Sequence, residues 1–224
     1  MIPNTENFYD AFTDQEQNAL DAMNSPKKIQ DFLDAAAYPS GDENRSPLEV
    51  FRQKQAHCLD GALFAAALLR LHGYTPLIVD LLPVPGRDDD HVLALYRSHG
   101  AWGAVAKSNF SGLRFREPVY RTVRELVLSY FEFFFNLNGE KTLRRCTRQI
   151  DLSRFDHTRW MTESSGVDFV EKYLKNLKGY PLITKSQAEI LSSVDERSFQ
   201  AGMLGINRIG AFSPPPIKKS EYEE

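Results

Sequence analysis

The run CLDGALFAAALLRLHG, residues 58–73, restricts the fold more than any other part of the chain. Its apolar residues do not form one stripe but cover nearly every side of a helix, which is typical of a helix buried inside a domain. Gly73 stands where glycine is preferred after the last helical turn. The uninterrupted apolar stretch, Ala62 to Leu69, is far shorter than the ~20 residues of a membrane helix. We therefore expect a central helix that other elements cover on all sides.

After Gly73 the hydrophobic pattern changes from a helical to a strand period. TPLIVDLLP is rich in apolar and β-branched residues, HVLALYRSHG alternates, and AWGAVAKSN follows Gly100. These segments predict three successive strands, the last two joined as a hairpin, in an antiparallel sheet that packs against the central helix. Helices are grouped before and after the strands rather than alternating with them, so the predicted fold class is α+β.

Capping patterns and apolar stripes predict the flanking helices. Capping boxes begin at Thr13, Thr122 and Thr184, each followed three residues later by Glu or Gln. The box at Thr122 opens an apolar face that extends to Phe134, and further helices are predicted near residues 166–178 and 185–195. Four basic residues are expected on one face of a helix: Lys141, Arg144, Arg145 and Arg148.

The domain organisation is predicted from these elements. We expect a core over residues 1–150, which includes the N-terminal helices, and a helical C-terminal extension over residues 151–212 that packs on the core. Residues 213–224 contain three prolines and a charged end without an apolar face, and they predict an extended or disordered tail.

Charge and cysteine content exclude several classes of protein. The chain has 27 Lys and Arg against 30 Asp and Glu, a formal net charge of -3, which does not favour a nucleic-acid partner. The sequence MIPNTENFYDAF lacks the cationic start and apolar centre of a signal peptide. Two cysteines are too few for a disulfide framework. We expect a cytoplasmic protein without a membrane partner, and the oligomeric state stays open.

Cys58 and His91 are the residues best suited to covalent chemistry. Cys58 begins the central helix, where unpaired N–H groups and the helix dipole favour a thiolate and lower the pKa of the thiol. His91 begins the second predicted strand, directly after the acidic turn 88–90. Because this sheet packs against the helix, the imidazole can reach the thiol, as a nucleophile and its base require.

Other roles for these residues stay open at this point. Cys58 could be a small core residue at a helix start, and His91 could be a strand-edge histidine bonded to Asp89 or Asp90. No spacing around His57, Cys58 and His91 matches a paired-ligand zinc motif, so we predict neither a metal nor a cofactor.

Several segments between residues 26 and 110 resemble the transglutaminase-like branch of the papain-like thiol enzymes. The resemblance is carried by HCLDGALF, ALLRLHGY, LIV and DHV, with Trp102 eleven residues after His91. It implies a papain/transglutaminase-like core in which a cysteine opens the core helix and a histidine begins the second strand. It also implies an aspartate near the end of the third strand that orients the histidine. Cys58 and His91 fall on the first two positions.

The chain departs from the family pattern at the third catalytic position. Ala106 stands where the aspartate is expected, four residues beyond Trp102, and has no polar side-chain atom. Papain-like enzymes use an asparagine in this role, so the resemblance implies Asn109 as the replacement. Ser108 and Asp80 are further candidates for the same role.

The same resemblance gives the expected oxyanion hole and activity. Gln53 and Gln55, upstream of Cys58, are the candidate donors beside the Cys58 N–H. In place of the family's glycine two residues before the cysteine, the chain has Ala56. The implied function is a thiol hydrolase or acyltransferase that acts on a carboxamide or peptide bond of a protein or peptide substrate. The alternative, favoured by Ala106, is a catalytically impaired module that binds a protein partner.

Overall fold

A computed structural model describes residues 8–215 of the chain. Helices α1 (Asp14–Ala22), α2 (Pro26–Ala35) and α3 (Pro47–Gln53) precede the central helix α4 (Cys58–Leu71). Strands β1 (Leu77–Pro83), β2 (His91–Ser98), β3 (Ala101–Val105) and β4 (Arg116–Tyr120) follow, and then helix α5 (Val123–Leu128). The last part contains β5 (Leu143–Cys146), β6 (Ile150–Asp151), α6 (Ser164–Lys175), β7 (Tyr180–Pro181), α7 (Lys185–Glu189) and α8 (Glu196–Gly202).

The strands form one antiparallel sheet in the order β4-β3-β2-β1-β5-β7, and β6 pairs with β1. The strand over residues 77–83, the hairpin of β2 and β3, and the α+β class agree with the sequence predictions. In the register of β1 and β2, Leu81 pairs with His91 and Asp80 with Val92. Because side chains alternate between the two faces of a strand, these two pairs point to opposite faces of the sheet.

Helix α4 packs on one face of this sheet, against Val92, Ala94 and Tyr96 of β2. Residues Leu63, Phe64, Ala67 and Leu68 are all inaccessible to solvent, which confirms the prediction of a buried central helix. Helices α2 and α3 cover the sides of α4 that the sheet leaves open. The opposite face of the sheet carries a second apolar cluster, in which Leu93 and Leu95 of β2 pack with Tyr130 and Phe134.

Lys107 joins the first turn of α4 to the chain beyond β3. A Cβ atom at Gly61 would lie 2.3 Å from the Lys107 Cβ, so only glycine permits this approach. The Lys107 ammonium donates to the carbonyls of Leu33 and Ala36 at the end of α2, and burial lowers the pKa of Lys107 to about 8. This contact sets the direction in which residues 108 and 109 leave the sheet.

Three helix predictions are wrong. Helix α5 ends at Leu128 and a 3-10 turn (Phe131–Phe133) follows it, because Tyr130 and Phe134 turn toward the sheet. Helix α7 ends at Glu189, not 195. The basic residues expected on a helix lie in and around β5, since Leu82 of β1 takes Arg145 as its strand partner.

The region after residue 150 is not wholly helical, because β6 and β7 join the sheet. The division at residue 150 stays a prediction. Residues 213–215 belong to neither a helix nor a strand. The rest of the predicted tail, residues 216–224, lies outside the described residues, and so do residues 1–7. In the part of the chain that the structure describes, no helix has the length and apolarity needed to cross a bilayer.

Leu68→Ala should lower the free energy of unfolding by about 2–5 kcal/mol, because it removes buried methyl groups and leaves a cavity between α4 and its neighbours. Urea unfolding measures this change. The matched control is Ile190→Ala, at a side chain that is 83% exposed, which should change the free energy by less than about 0.5 kcal/mol. A loss below about 1 kcal/mol for Leu68→Ala would place α4 at the periphery.

Candidate active site

The start of α4 is fixed by a buried carboxylate in its first turn. Asp60 accepts hydrogen bonds from the main-chain N–H groups of His57, at 3.0 Å, and of Arg45, at 2.9 Å. These bonds attach the first turn to the loop before α3 and hold Cys58 at the helix N-terminus. Asp60 was not among the predicted site residues, although an acidic residue at the third helical position is typical of a capping arrangement.

The Cys58 thiol lies against the open edge of β2. The last pair between β2 and β3 is Ala94 with Val105, so the edge of β2 before Ala94 has no strand partner on that side within residues 8–215. The Cys58 Sγ lies 3.8 Å from the main-chain oxygen of Asp90, a sulfur-to-oxygen hydrogen-bond contact. The side chain is half-buried. The Cys58 sulfur therefore lies between the start of α4 and the unpaired edge of β2.

The environment of Cys58 raises the pKa of its thiol, contrary to the sequence expectation. Burial is the largest cause, the charge of Asp90 is the next that raises it, and the charge of Asp60 adds to the effect. The hydrogen bond from the Val92 main-chain N–H favours the thiolate, but burial and the charge of Asp90 outweigh it. The prediction of a lowered pKa is therefore wrong, and the thiol is protonated at neutral pH.

Two carboxyl groups accompany the thiol. Asp80 is 1% exposed, and burial followed by the charge of Asp90 raises its pKa well above the ordinary range. Burial and the charge of Asp89 raise the pKa of Asp90 to about 6. Within residues 8–215 the Asp80 Oδ1 has no hydrogen-bond partner. A protonated Asp80 is the form that such burial favours.

His91 is held by a main-chain carbonyl. Its Nε2 lies 2.7 Å from the oxygen of Leu113, and its ring contacts those of Tyr130 and Phe134 edge to face. A carbonyl only accepts hydrogen bonds, so Nε2 carries the proton and the lone pair is on Nδ1. Burial lowers the pKa of His91 to about 4, although the bond to Leu113 raises it. The imidazole is therefore neutral at pH 7.

Cys58 and His91 line the same narrow cavity, of about 40 Å³, which Ser108 and Asn109 also line. Among residues 8–215 no hydrogen bond joins the thiol to the imidazole: the thiol contacts the Asp90 oxygen, and the imidazole binds the Leu113 oxygen. By strand alternation His91 belongs to the sheet face of Leu93, opposite Val92, and it meets the cavity where β2 begins. A direct Cys58–His91 contact stays a prediction.

The expected third member does not contact His91. The side-chain amide of Asn109 donates to the Asn207 oxygen and accepts from the Asn207 N–H, both at 2.8 Å. The Ser108 hydroxyl accepts from the Phe110 N–H at 3.0 Å. The assignment of Asn109 as the orienting residue is therefore wrong, because its amide is used elsewhere and the Leu113 carbonyl takes the place.

Asp80 and Ala106 are also unsuited to orienting His91. Asp80 pairs with Val92, so it faces α4 and not the sheet face of His91. Ala106 is inaccessible to solvent and packs in the apolar cluster of that second face. The Gln30 amide forms two hydrogen bonds with the Ala106 main chain, at 3.0 Å each.

The two predicted oxyanion donors lie apart from the thiol. Gln53 accepts a hydrogen bond from the Arg45 side chain at 2.9 Å, and neither Gln53 nor Gln55 lines the cavity. Tyr38 does line it, and burial raises the pKa of this tyrosine, so its hydroxyl stays protonated as a donor. Tyr38 lies in the loop between α2 and α3, and no local pattern around it indicates this position.

A wider cleft of about 670 Å³ lies on the other side of Cys58. Its wall carries five acidic residues: Asp42, Asp88, Asp89, Asp90 and Glu171. Arg145 and Lys175 line it too. Within the acidic turn 88–90, burial raises the pKa of Asp88 to about 6, and its carboxylate accepts a hydrogen bond from the Thr142 hydroxyl.

Within residues 8–215, no three His, Cys, Asp or Glu side chains are grouped so that they could hold a metal ion. No protein-family model matches the chain, and a search of curated proteins finds no significant similarity. The geometry of the site is therefore the basis for any assignment of function.

Asp90→Asn should accelerate iodoacetamide alkylation of Cys58 at pH 8 by about threefold to tenfold, because each unit of lowered thiol pKa gives about ten times more thiolate. Loss of the Asp90 charge removes a cause that raises the pKa of Cys58, so the thiolate fraction increases at a given pH. Alkylation is followed by mass spectrometry in a Cys146→Ser background.

The control for this prediction is Asp89→Asn, which removes the same charge one residue away. Asp89 is not among the main causes of the raised pKa of Cys58, so the alkylation rate should change little. Equal acceleration by both variants would show that net charge alone governs the thiol.

Proposed function

We propose that the protein is a transglutaminase-like thiol hydrolase or acyltransferase that acts on a carboxamide or peptide bond. One observation carries the proposal: Cys58, at the start of a buried helix, and His91, at the start of β2, line one cavity. The Leu113 carbonyl holds the imidazole so that its free lone pair is on Nδ1. A thiol and an oriented imidazole that share one cavity are the groups that nucleophilic catalysis requires.

The order of elements supports a papain/transglutaminase-like core. The cysteine helix α4 is followed by three consecutive antiparallel strands, and α4 packs on the sheet they belong to. The histidine lies at the first residue of the second strand, as the resemblance implies. Ala106 also lies on the sheet face of His91, which is where an orienting residue of the third strand would be.

The chemistry follows from a neutral pair. His91 Nδ1 accepts the thiol proton as the Cys58 sulfur attacks the carbonyl carbon, and the resulting imidazolium gives that proton to the departing amine or ammonia. Water or an amine then breaks the thioester and restores the thiol. The Nε2 proton remains hydrogen-bonded to the Leu113 oxygen throughout. The Cys58 N–H and the Tyr38 hydroxyl are the oxyanion donors in this proposal.

A second candidate is a catalytically impaired module that keeps the fold and binds a protein partner. Two observations favour it. The position implied for the acid is apolar, because Ala106 packs in the second cluster, and both Cys58 and His91 are uncharged at neutral pH. A neutral pair has a smaller fraction of reactive thiolate than a thiolate–imidazolium pair.

The activated ester p-nitrophenyl acetate should acylate Cys58, and His91→Ala should slow this acylation by about 10²–10⁴-fold, the usual contribution of a general base. Release of p-nitrophenolate gives the rate, and peptide mass mapping locates the acetyl group.

Cys146→Ser is the control for thiol content, and it should leave the rate unchanged because Cys146 lies outside the cavity. Cys58→Ser should abolish the acylated product. If the natural chain and His91→Ala react at one rate, His91 is not the base, and the binding module becomes the better assignment.

A further inference from the structure

The C-terminal strap, defined as residues 205–215, crosses the cavity that contains Cys58 and His91. Its residues Gly210, Ala211 and Phe212 form one wall of that cavity. The strap is attached beyond the wall, where the Pro215 oxygen accepts a hydrogen bond from the Arg87 guanidinium at 2.8 Å. The small volume of the cavity therefore depends on a segment that is distant in sequence from the sheet residues it covers.

Asn207 attaches the strap before the wall through both its main chain and its side chain. The Asn109 amide binds both the N–H and the C=O of Asn207, at 2.8 Å each. The Asn207 side chain in turn donates to the main-chain oxygen of Tyr38 at 2.9 Å and to the Ser40 hydroxyl at 3.1 Å. An amide that satisfies both main-chain groups of one residue recognises a peptide backbone independently of its side chain.

The strap backbone also lies directly on the loop before α3. A Cβ atom at Gly210 would be 2.5 Å from the Pro39 oxygen, so a side chain is not tolerated there. The large side chain of Ile209 points outward and is 83% exposed. Main-chain hydrogen bonds and close backbone contact, not burial of large apolar side chains, therefore hold this part of the strap.

We propose that the groove formed by Tyr38, Pro39 and Asn109 is a binding site for a peptide main chain, and that the strap occupies it as an intramolecular ligand. A peptide substrate of Cys58 would displace the strap and take the same main-chain contacts. The identification of this peptide as the substrate rests on the proposed function, whereas the binding site does not.

The first test is hydrogen exchange of the strap in the full chain. Asn207→Ala removes the bonds to Tyr38 and Ser40, so amide exchange over residues 205–215 should accelerate at least tenfold. Ile209→Ala, the matched control on the same segment, should leave exchange unchanged because that side chain is exposed. Unchanged exchange in Asn207→Ala would contradict the proposed attachment.

The second test is calorimetric binding of a synthetic peptide with the sequence LGINRIGAF, residues 204–212. We expect binding to the Asn207→Ala chain, in which loss of the bonds to Tyr38 and Ser40 weakens the attachment of the strap, and at least tenfold weaker binding to the natural chain. The double variant Asn109→Ala, Asn207→Ala should also bind the peptide at least tenfold more weakly than Asn207→Ala.

These outcomes separate the peptide site from the enzyme. Equal peptide binding by the natural and Asn207→Ala chains, or no binding by either, would overturn the peptide site whatever the catalytic result. Peptide binding by Asn207→Ala together with acylation that does not depend on His91 would retain the peptide site and reject only the thiol enzyme.

Discussion

Burial of α4 on every side is the constraint on which the rest of the structure depends. The sheet covers one face of this helix and α2 and α3 cover the others, so its first turn is the part that can border a cavity. The Asp60 carboxylate in that turn accepts hydrogen bonds from the N–H groups of His57 and Arg45, which precede the helix. The absence of a side chain at Gly61 lets Lys107 approach the same turn. This packing holds Cys58 at the start of α4, where it lines the cavity.

The same burial sets the electrostatics of the site. It raises the pKa of Cys58 and lowers the pKa of His91 to about 4, so each group favours its uncharged form. A hydrogen bond from the Val92 main-chain N–H acts in the opposite direction for the thiol, but burial and the charge of Asp90 outweigh it. Under the proposed function, the Cys58 thiol would stay protonated until a substrate changes the surroundings of the sulfur.

Local periodicity predicted the features that depend on near neighbours in the chain. The central helix, the strand at 77–83 and the hairpin follow from apolar patterns, and the capping boxes at Thr13 and Thr184 form as expected. The strand β5 could not be predicted, because its conformation comes from pairing with β1, which lies far earlier in the chain. The hydrogen bonds between the Asn109 amide and the Asn207 main chain join residues that are 98 positions apart, and no local sequence pattern indicates them.

The group that orients His91 could not be predicted from the sequence, for a different reason. It is the main-chain oxygen of Leu113, and a carbonyl is present at every residue. It also explains how alanine fits at 106: a carboxylate there would be buried among apolar side chains, whereas the carbonyl orients the ring without a buried charge. A carbonyl stabilises imidazolium less than a carboxylate does, so His91 is a weaker base. In the proposed enzyme, a well-oriented imidazole is combined with a low driving force for proton transfer, so we expect reaction only when a bound substrate excludes water and develops negative charge next to the ring.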